Sequence, residues 1–179
     1  MIYIITGASH TGKTALAQKL LEALKFPYLS IDHLKMGLIR SGNTTLTPDD
    51  DDKLTDYLWP IVREFIKTAI ENKQNLIVEG CYIPFEWRKD FEAEYFSEIK
   101  FICLAMTEQY VDEHFEDILA HGSDIEQRFE SDEASLSKDY VKKENLRFAE
   151  GFKNAGEQVV LIDQDYEQVI EKLITSSKS

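Results

Sequence analysis

An apolar run, Ile2-Tyr3-Ile4-Ile5, leads almost directly into Gly7-Ala8-Ser9-His10-Thr11-Gly12-Lys13-Thr14, which fits the pattern G-x-x-x-x-G-K-[ST] at every fixed position. The pattern calls for a strand, a tight glycine loop and a helix in that order. Thr14 to Lys25 offers the helix, with Leu16, Leu20, Leu21 and Leu24 at helical spacing. Glycines at the two ends of the loop let the backbone curl until its N–H groups face a common centre, and the positive end of the following helix dipole points the same way. The loop Gly7, Ala8, Ser9, His10, Thr11, Gly12, Lys13 and Thr14 is therefore expected to hold the phosphates of a nucleoside triphosphate. Lys13 would bring a mobile charge to the β- and γ-phosphates. The Thr14 hydroxyl suits Mg²⁺, a hard cation that prefers oxygen and keeps much of its water shell.

A chain of 179 residues with 43% hydrophobic content is long enough for one sizeable core, so residues 1–179 read as a single domain. A net charge of −13 argues against a nucleic-acid polymer as partner, since affinity for phosphate polymers is built from many Lys and Arg contacts. It does not argue against a small anionic ligand, because the field in a cleft follows the nearest charges. No apolar run approaches the length of a membrane span, and the apolar start has no basic leader, so a cytoplasmic protein is expected. Cys81 and Cys103 read as free thiols in a reducing compartment. The sequence leaves the oligomeric state open.

Strand-like runs recur at Ile2–Ile5, Tyr28–Ile31, Leu76–Val78, Ile99–Leu104 and Val159–Ile162, with helical patterns between them. This alternation predicts an α/β three-layer sandwich around a five-stranded parallel sheet. Ligands of such sheets bind beyond the carboxyl ends of the strands, which draws attention to Asp32, to Glu79–Cys81 and to Asp163. The longest helix is expected to open at Thr47-Pro48-Asp49-Asp50 and to be kinked or divided by Pro60. Its core stripe reads Leu54, Leu58, Ile61, Val62, Phe65, Ile66 and Ala69. The acidic stretch around residues 120–139 interrupts one helical pattern before another resumes, and is a candidate flap.

The loop Gly7–Thr14, the segment Ile31-Asp32-His33-Leu34-Lys35-Met36 after the second strand and Ile77-Val78-Glu79-Gly80 after the third together resemble the P-loop small-molecule kinases. That group of P-loop NTPases contains nucleoside-monophosphate kinases, shikimate and gluconate kinases, antibiotic phosphotransferases and zeta-toxin-like kinases. The resemblance covers nearly the whole chain and implies a nucleoside-monophosphate-kinase-like fold, with ATP and Mg²⁺ as cofactors. It implies catalytic roles for Lys13 and Asp32, the latter contacting the acceptor hydroxyl as general base. By the same resemblance Glu79 holds Mg²⁺ beside Thr14 or touches the substrate, and Arg40 and Arg63 fall where these kinases build their acceptor region. Relatives often carry paired arginines at the start of the flap. Here His121 stands in that neighbourhood, which leaves Arg128 and then Arg147 as the flap arginines.

The activity implied is transfer of the γ-phosphoryl group of ATP to a hydroxyl or phosphate of a small metabolite. A nucleotide-dependent switch without an acceptor is a second reading, although the D-x-x-G and N/T-K-x-D stretches of GTPase switches are absent. A zeta-toxin-like sugar-nucleotide kinase is a third, on the loose acid-to-arginine spacing from Asp32 to Arg40. The sequence does not name the acceptor. Tyr57, Trp59, Tyr82, Phe85 and Trp87 are the aromatics from which a stacking partner would be drawn.

Overall fold

A computed structural model describes residues 1–120 and 137–177. Five parallel strands form one sheet in the order β2-β3-β1-β4-β5, where β1 is Ile2–Gly7, β2 Tyr28–Ser30, β3 Leu76–Glu79, β4 Ile99–Met106 and β5 Val159–Ile162. Six α-helices connect and cover them among the described residues: α1 Lys13–Leu24, α2 Ile31–Arg40, α3 Asp51–Glu71, α4 Glu108–Ala120, α5 Lys138–Asn154 and α6 Tyr166–Ser177. The expected sandwich and parallel sheet are therefore present.

All six residues of β1 are buried, as a central parallel strand covered on both faces requires. Alternate side chains serve two cores. Ile2 and Ile4 join a cluster with Leu58, Val62 and Ile66 of α3 and with Phe148 and Phe152 of α5. Tyr3 and Ile5 join Leu16 and Leu20 of α1, Val111 of α4 and Ile170 of α6. The first core is strongly aromatic: Trp87 stacks on Phe101 with ring centroids 5.3 Å apart, and Phe85 meets Phe152 edge to face at 5.0 Å.

Local chemistry moves several boundaries. The second strand stops at Ser30 because its hydroxyl accepts from the backbone N–H of His33 at 3.3 Å and caps α2, so Ile31 is helical. The long helix starts at Asp51, later than Thr47-Pro48 suggests. The Asp50 carboxylate turns back to accept from both the N–H and the hydroxyl of Thr47, each at 3.0 Å, closing a turn before the helix. With Lys53 also bonded to it, the Asp50 carboxyl is held down at about 2. α3 then runs through Pro60 as one 21-residue element. Pro60 is exposed, so the Asp56 carbonyl that loses its helical donor faces solvent and can be hydrated. Ile61 and Phe65 leave the expected core stripe and lie 38% and 55% exposed, while Trp59 is buried in their place. Arg128 and most of the flap stretch lie outside the described residues.

The Trp87 indole N–H is buried without a hydrogen-bond partner among the described residues. Phe152→Ala, which opens a cavity among the rings of Phe85, Phe101 and Phe148, is expected to cost about 3–5 kcal/mol of unfolding free energy in urea titrations. Trp87→Phe loses volume but also removes an unsatisfied donor, so its cost should stay below about 1.5 kcal/mol.

Candidate functional site

The loop between β1 and α1 is shaped by two close approaches. Gly7 has φ +149°, and a Cβ there would lie 2.3 Å from the carbonyl oxygen of Leu104 on the neighbouring strand. Gly12 has φ +74°, and a Cβ there would sit 2.0 Å from the Tyr166 hydroxyl. Both positions exclude any L side chain. Within the loop the Thr11 hydroxyl donates to the Ala8 carbonyl at 2.9 Å, and Tyr166 at the start of α6 donates to the Gly12 carbonyl at 3.0 Å. Tyr166 is beyond what the local pattern reveals, since it lies 154 residues away in the chain, on the helix that packs beside α1. Burial pushes its phenol well above the usual range.

α1 begins with no side-chain cap and no acid in its first turn. Its positive dipole end is thus met by no cap and no acid of its own first turn, an arrangement open to an anion. Lys13 is buried beside the loop with Nζ 3.3 Å from the Ala8 carbonyl oxygen.

Glu79 ends β3 in register with Ile5, which places its carboxylate next to the loop. It is fully buried. One carboxylate oxygen accepts from the Thr14 hydroxyl at 3.2 Å and the other from the Tyr28 hydroxyl at 3.0 Å. The Thr14 and Glu79 oxygens fit Mg²⁺: neighbouring ligands of an octahedron with ~2.1 Å Mg–O bonds lie about 3 Å apart. No group of three or more His, Cys, Asp or Glu capable of holding a metal occurs among the described residues, and Mg²⁺ in phosphate sites needs only one or two protein oxygens. Tyr28 carries no sequence signal as a site residue, because an aromatic in a strand reads as core.

Asp32 lies in the first turn of α2. Since Ser30 is the cap, Asp32 turns to Lys35, whose Nζ donates to its Oδ1 at 2.7 Å. The same ammonium donates to the Tyr82 hydroxyl at 2.9 Å, which in turn donates to Asp51 Oδ1 at 3.0 Å. A hydrogen-bonded chain thus runs from α2 through the segment after β3 to the start of α3. Cys81 precedes Tyr82 in the segment after β3 and feels the charges of both this chain and Lys13. Burial pushes its thiol up to about 11, with Lys13 and Lys35 opposing and Asp32 and Asp51 reinforcing the shift. Cys103 is buried and free, and burial raises it to about 12.

Of the other residues singled out in the sequence, Arg147 stands on α5 in a fork on Glu144, with Nε at 3.1 Å and an NH2 contact of 2.8 Å, and its guanidinium covers Phe148. The bond to Glu144 raises its pKa, as does the charge of Asp52 at the start of α3. Arg40 is exposed at the end of α2. Arg63 is not brought to the cleft. It pairs with Glu64 at 2.7 Å and with Asp90 at 3.7 Å, twelve residues along α3 from Asp51, about 18 Å at the helical rise. Trp59, Tyr82 and Trp87 are buried, and of the five aromatics only Tyr82 bonds to the charged chain at the cleft.

The strand order and helical cover match solved kinase structures over almost the full chain. A sugar kinase from a Janibacter species is 17% identical, with a TM-score of 0.59 over 99% of this chain and 94% of the other. A shikimate kinase from Bacteroides thetaiotaomicron is 14% identical, with a TM-score of 0.56 over 100% and 99%. The fold is that of the P-loop small-molecule kinases. A gluconokinase from Sinorhizobium meliloti shares it at 13% identity and a TM-score of 0.52, over 97% of this chain and 89% of its own. No protein-family model and no curated sequence matches the chain. No described helix of this P-loop kinase fold is long and apolar enough to cross a membrane.

Two outcomes test the geometry. Tyr28→Phe removes a donor to a buried carboxylate, and is expected to cost about 1–3 kcal/mol in urea unfolding and to weaken the Mg²⁺ dependence of nucleotide binding. The Cys81 thiol should react with iodoacetamide tenfold faster per pH unit from pH 7 up to about 10, without a plateau, because the thiolate forms only near pH 11.

Proposed function

We propose that the protein is a Mg²⁺-ATP-dependent phosphotransferase that moves the γ-phosphoryl group to a hydroxyl or phosphate of a small molecule. The observation that carries this reading is that Lys13 of the glycine loop and Asp32 in the first turn of α2 both follow parallel strands at the carboxyl end of one sheet, and the charges of both reach Cys81. A switch needs the loop alone. An acidic group across the cleft from the phosphate lysine supplies what an acceptor needs.

In this mechanism the loop N–H groups and the start of α1 bind the nucleotide phosphates, and Lys13 moves from the Ala8 carbonyl onto the β- and γ-phosphate oxygens. Thr14 and Glu79 would hold Mg²⁺, which when bound neutralises charge on the phosphates. The acceptor oxygen approaches the γ-phosphorus on the side away from ADP. A new O–P bond forms, the bond between the γ-phosphorus and its bridging oxygen breaks, and ADP departs with that electron pair. For a hydroxyl acceptor, Asp32 takes the proton. Because phosphoryl transfer demands little nucleophile activation, a carboxylate already paired with Lys35 suffices, and the pair holds it in place.

Label transfer from γ-³²P-ATP into a protein-free small-molecule extract of the expression host tests the assignment. Lys13→Ala is expected to lose both transfer and most nucleotide affinity. Asp32→Asn should keep nucleotide affinity within about twofold while transfer falls by roughly 10²–10⁴. Full turnover in Asp32→Asn would remove it as the base, and label found only in inorganic phosphate would overturn the phosphotransferase reading.

A further inference from the structure

Building on the phosphotransferase reading, we propose that the cleft selects a hydroxyl-bearing acceptor with no negative charge: a sugar, a polyol or an amino derivative of one. The charges around the cleft support this class. Beyond Lys13, which belongs to the nucleotide phosphates, Lys35 bonds to Asp32 and Tyr82, and the charge of Arg147 reaches Tyr140. Each is already matched. Lys35 spends two of its three N–H donors on Asp32 and Tyr82, and its side chain is only 12% exposed. Arg147 turns its Nε and one terminal nitrogen onto Glu144. Neither leaves a free fork for the two-point clamp by which proteins hold carboxylates and phosphates.

The carboxylates are in excess. Asp51 and Asp52 open α3, Asp51 accepting from the Tyr82 hydroxyl and Asp52 bearing on Arg147, and neither makes an ion pair within 4 Å among the described residues. An anionic acceptor would have to break an existing pair and then sit in the field of these two acids. A hydroxyl-rich acceptor meets the opposite situation, since carboxylate oxygens are strong acceptors of O–H and N–H bonds. Tyr140 on α5 is 48% exposed and feels the charges of Asp51 and Cys81, an aromatic available to stack on a sugar.

The remaining arginines do not change this balance for a small acceptor. Arg63 is committed to Glu64 and Asp90. Arg40 lies eight residues beyond Asp32 on α2, about 12 Å along the helix, within reach only of an extended acceptor such as a nucleotide sugar.

The charge of the product decides the matter without the acceptor's name. The protein is incubated with Mg²⁺, γ-³²P-ATP and either the host extract or a panel of glucose, myo-inositol, glucosamine, gluconate, glucose 6-phosphate and UDP-N-acetylglucosamine, with Lys13→Ala as control. Labelled products are then separated by anion exchange. The expected product carries the charge of a single phosphate or less, with kcat/KM at least about tenfold above that for an anionic analogue of the same skeleton. A labelled product with the charge of a bisphosphate, a phosphorylated acid or a nucleotide sugar would overturn the inference and leave the phosphotransferase reading standing. Label in inorganic phosphate alone would overturn both. In the variant carrying Asp51→Asn and Asp52→Asn, the ratio of anionic to uncharged acceptor use should rise at least about fivefold, and falling ionic strength should widen the gap in the parent protein. An unchanged ratio in both measurements would show that these acids do not set the selectivity.

Discussion

A carboxylate removed from water survives only where donors replace its hydration, and the fully buried Glu79 imposes that condition on everything around it. Its two oxygens are met by hydroxyls from different elements, Thr14 on α1 and Tyr28 on β2. The strand order puts β3 between β1 and β2, the one place from which a side chain at its end can receive both. The two hydroxyl bonds fix the carboxylate at the end of β3, beside the start of α1.

The cleft divides its charge by location. On the loop side, the helix start, the backbone and Lys13 are arranged for anions. On the other side, Asp32, Asp51, Asp52 and Glu144 outnumber Lys35 and Arg147, and the two cations are bonded to two of the acids. A protein of net charge −13 thus concentrates a positive pole in one short loop, where backbone dipoles contribute as much as side chains. The contrast is steeper than composition alone suggests.

Much of the fold was legible because it is local. Each strand candidate falls within an observed strand or overruns it by one residue, and the loop with its two glycines is a contiguous signature whose neighbours Leu104 and Tyr166 explain the glycines afterwards. The errors came from side chains that compete with the backbone: Ser30 ended a strand early by capping a helix, and Asp50 delayed another helix by bonding to Thr47. Ile61 and Phe65 have the right chemistry for a core but fall off the buried face of α3. The position of Asp32 and Glu79 at the carboxyl end of the sheet was legible from the strand pattern. Lys35, Tyr82 and Asp51 were invisible as a unit, because 47 residues separate Lys35 from Tyr82 and 31 separate Asp51 from Tyr82. Arg63 shows the converse: its residue type suited an acceptor region, and its position on the helix tied it to Asp90.

The bond from Tyr166 to Gly12 links positions 154 residues apart. On the ribosome the glycine loop emerges before the phenol that braces it. The loop can take up its chain conformation early, but its finished form waits for α6 to dock. Until then the nascent chain carries the loop without the hydrogen bond that holds the Gly12 carbonyl.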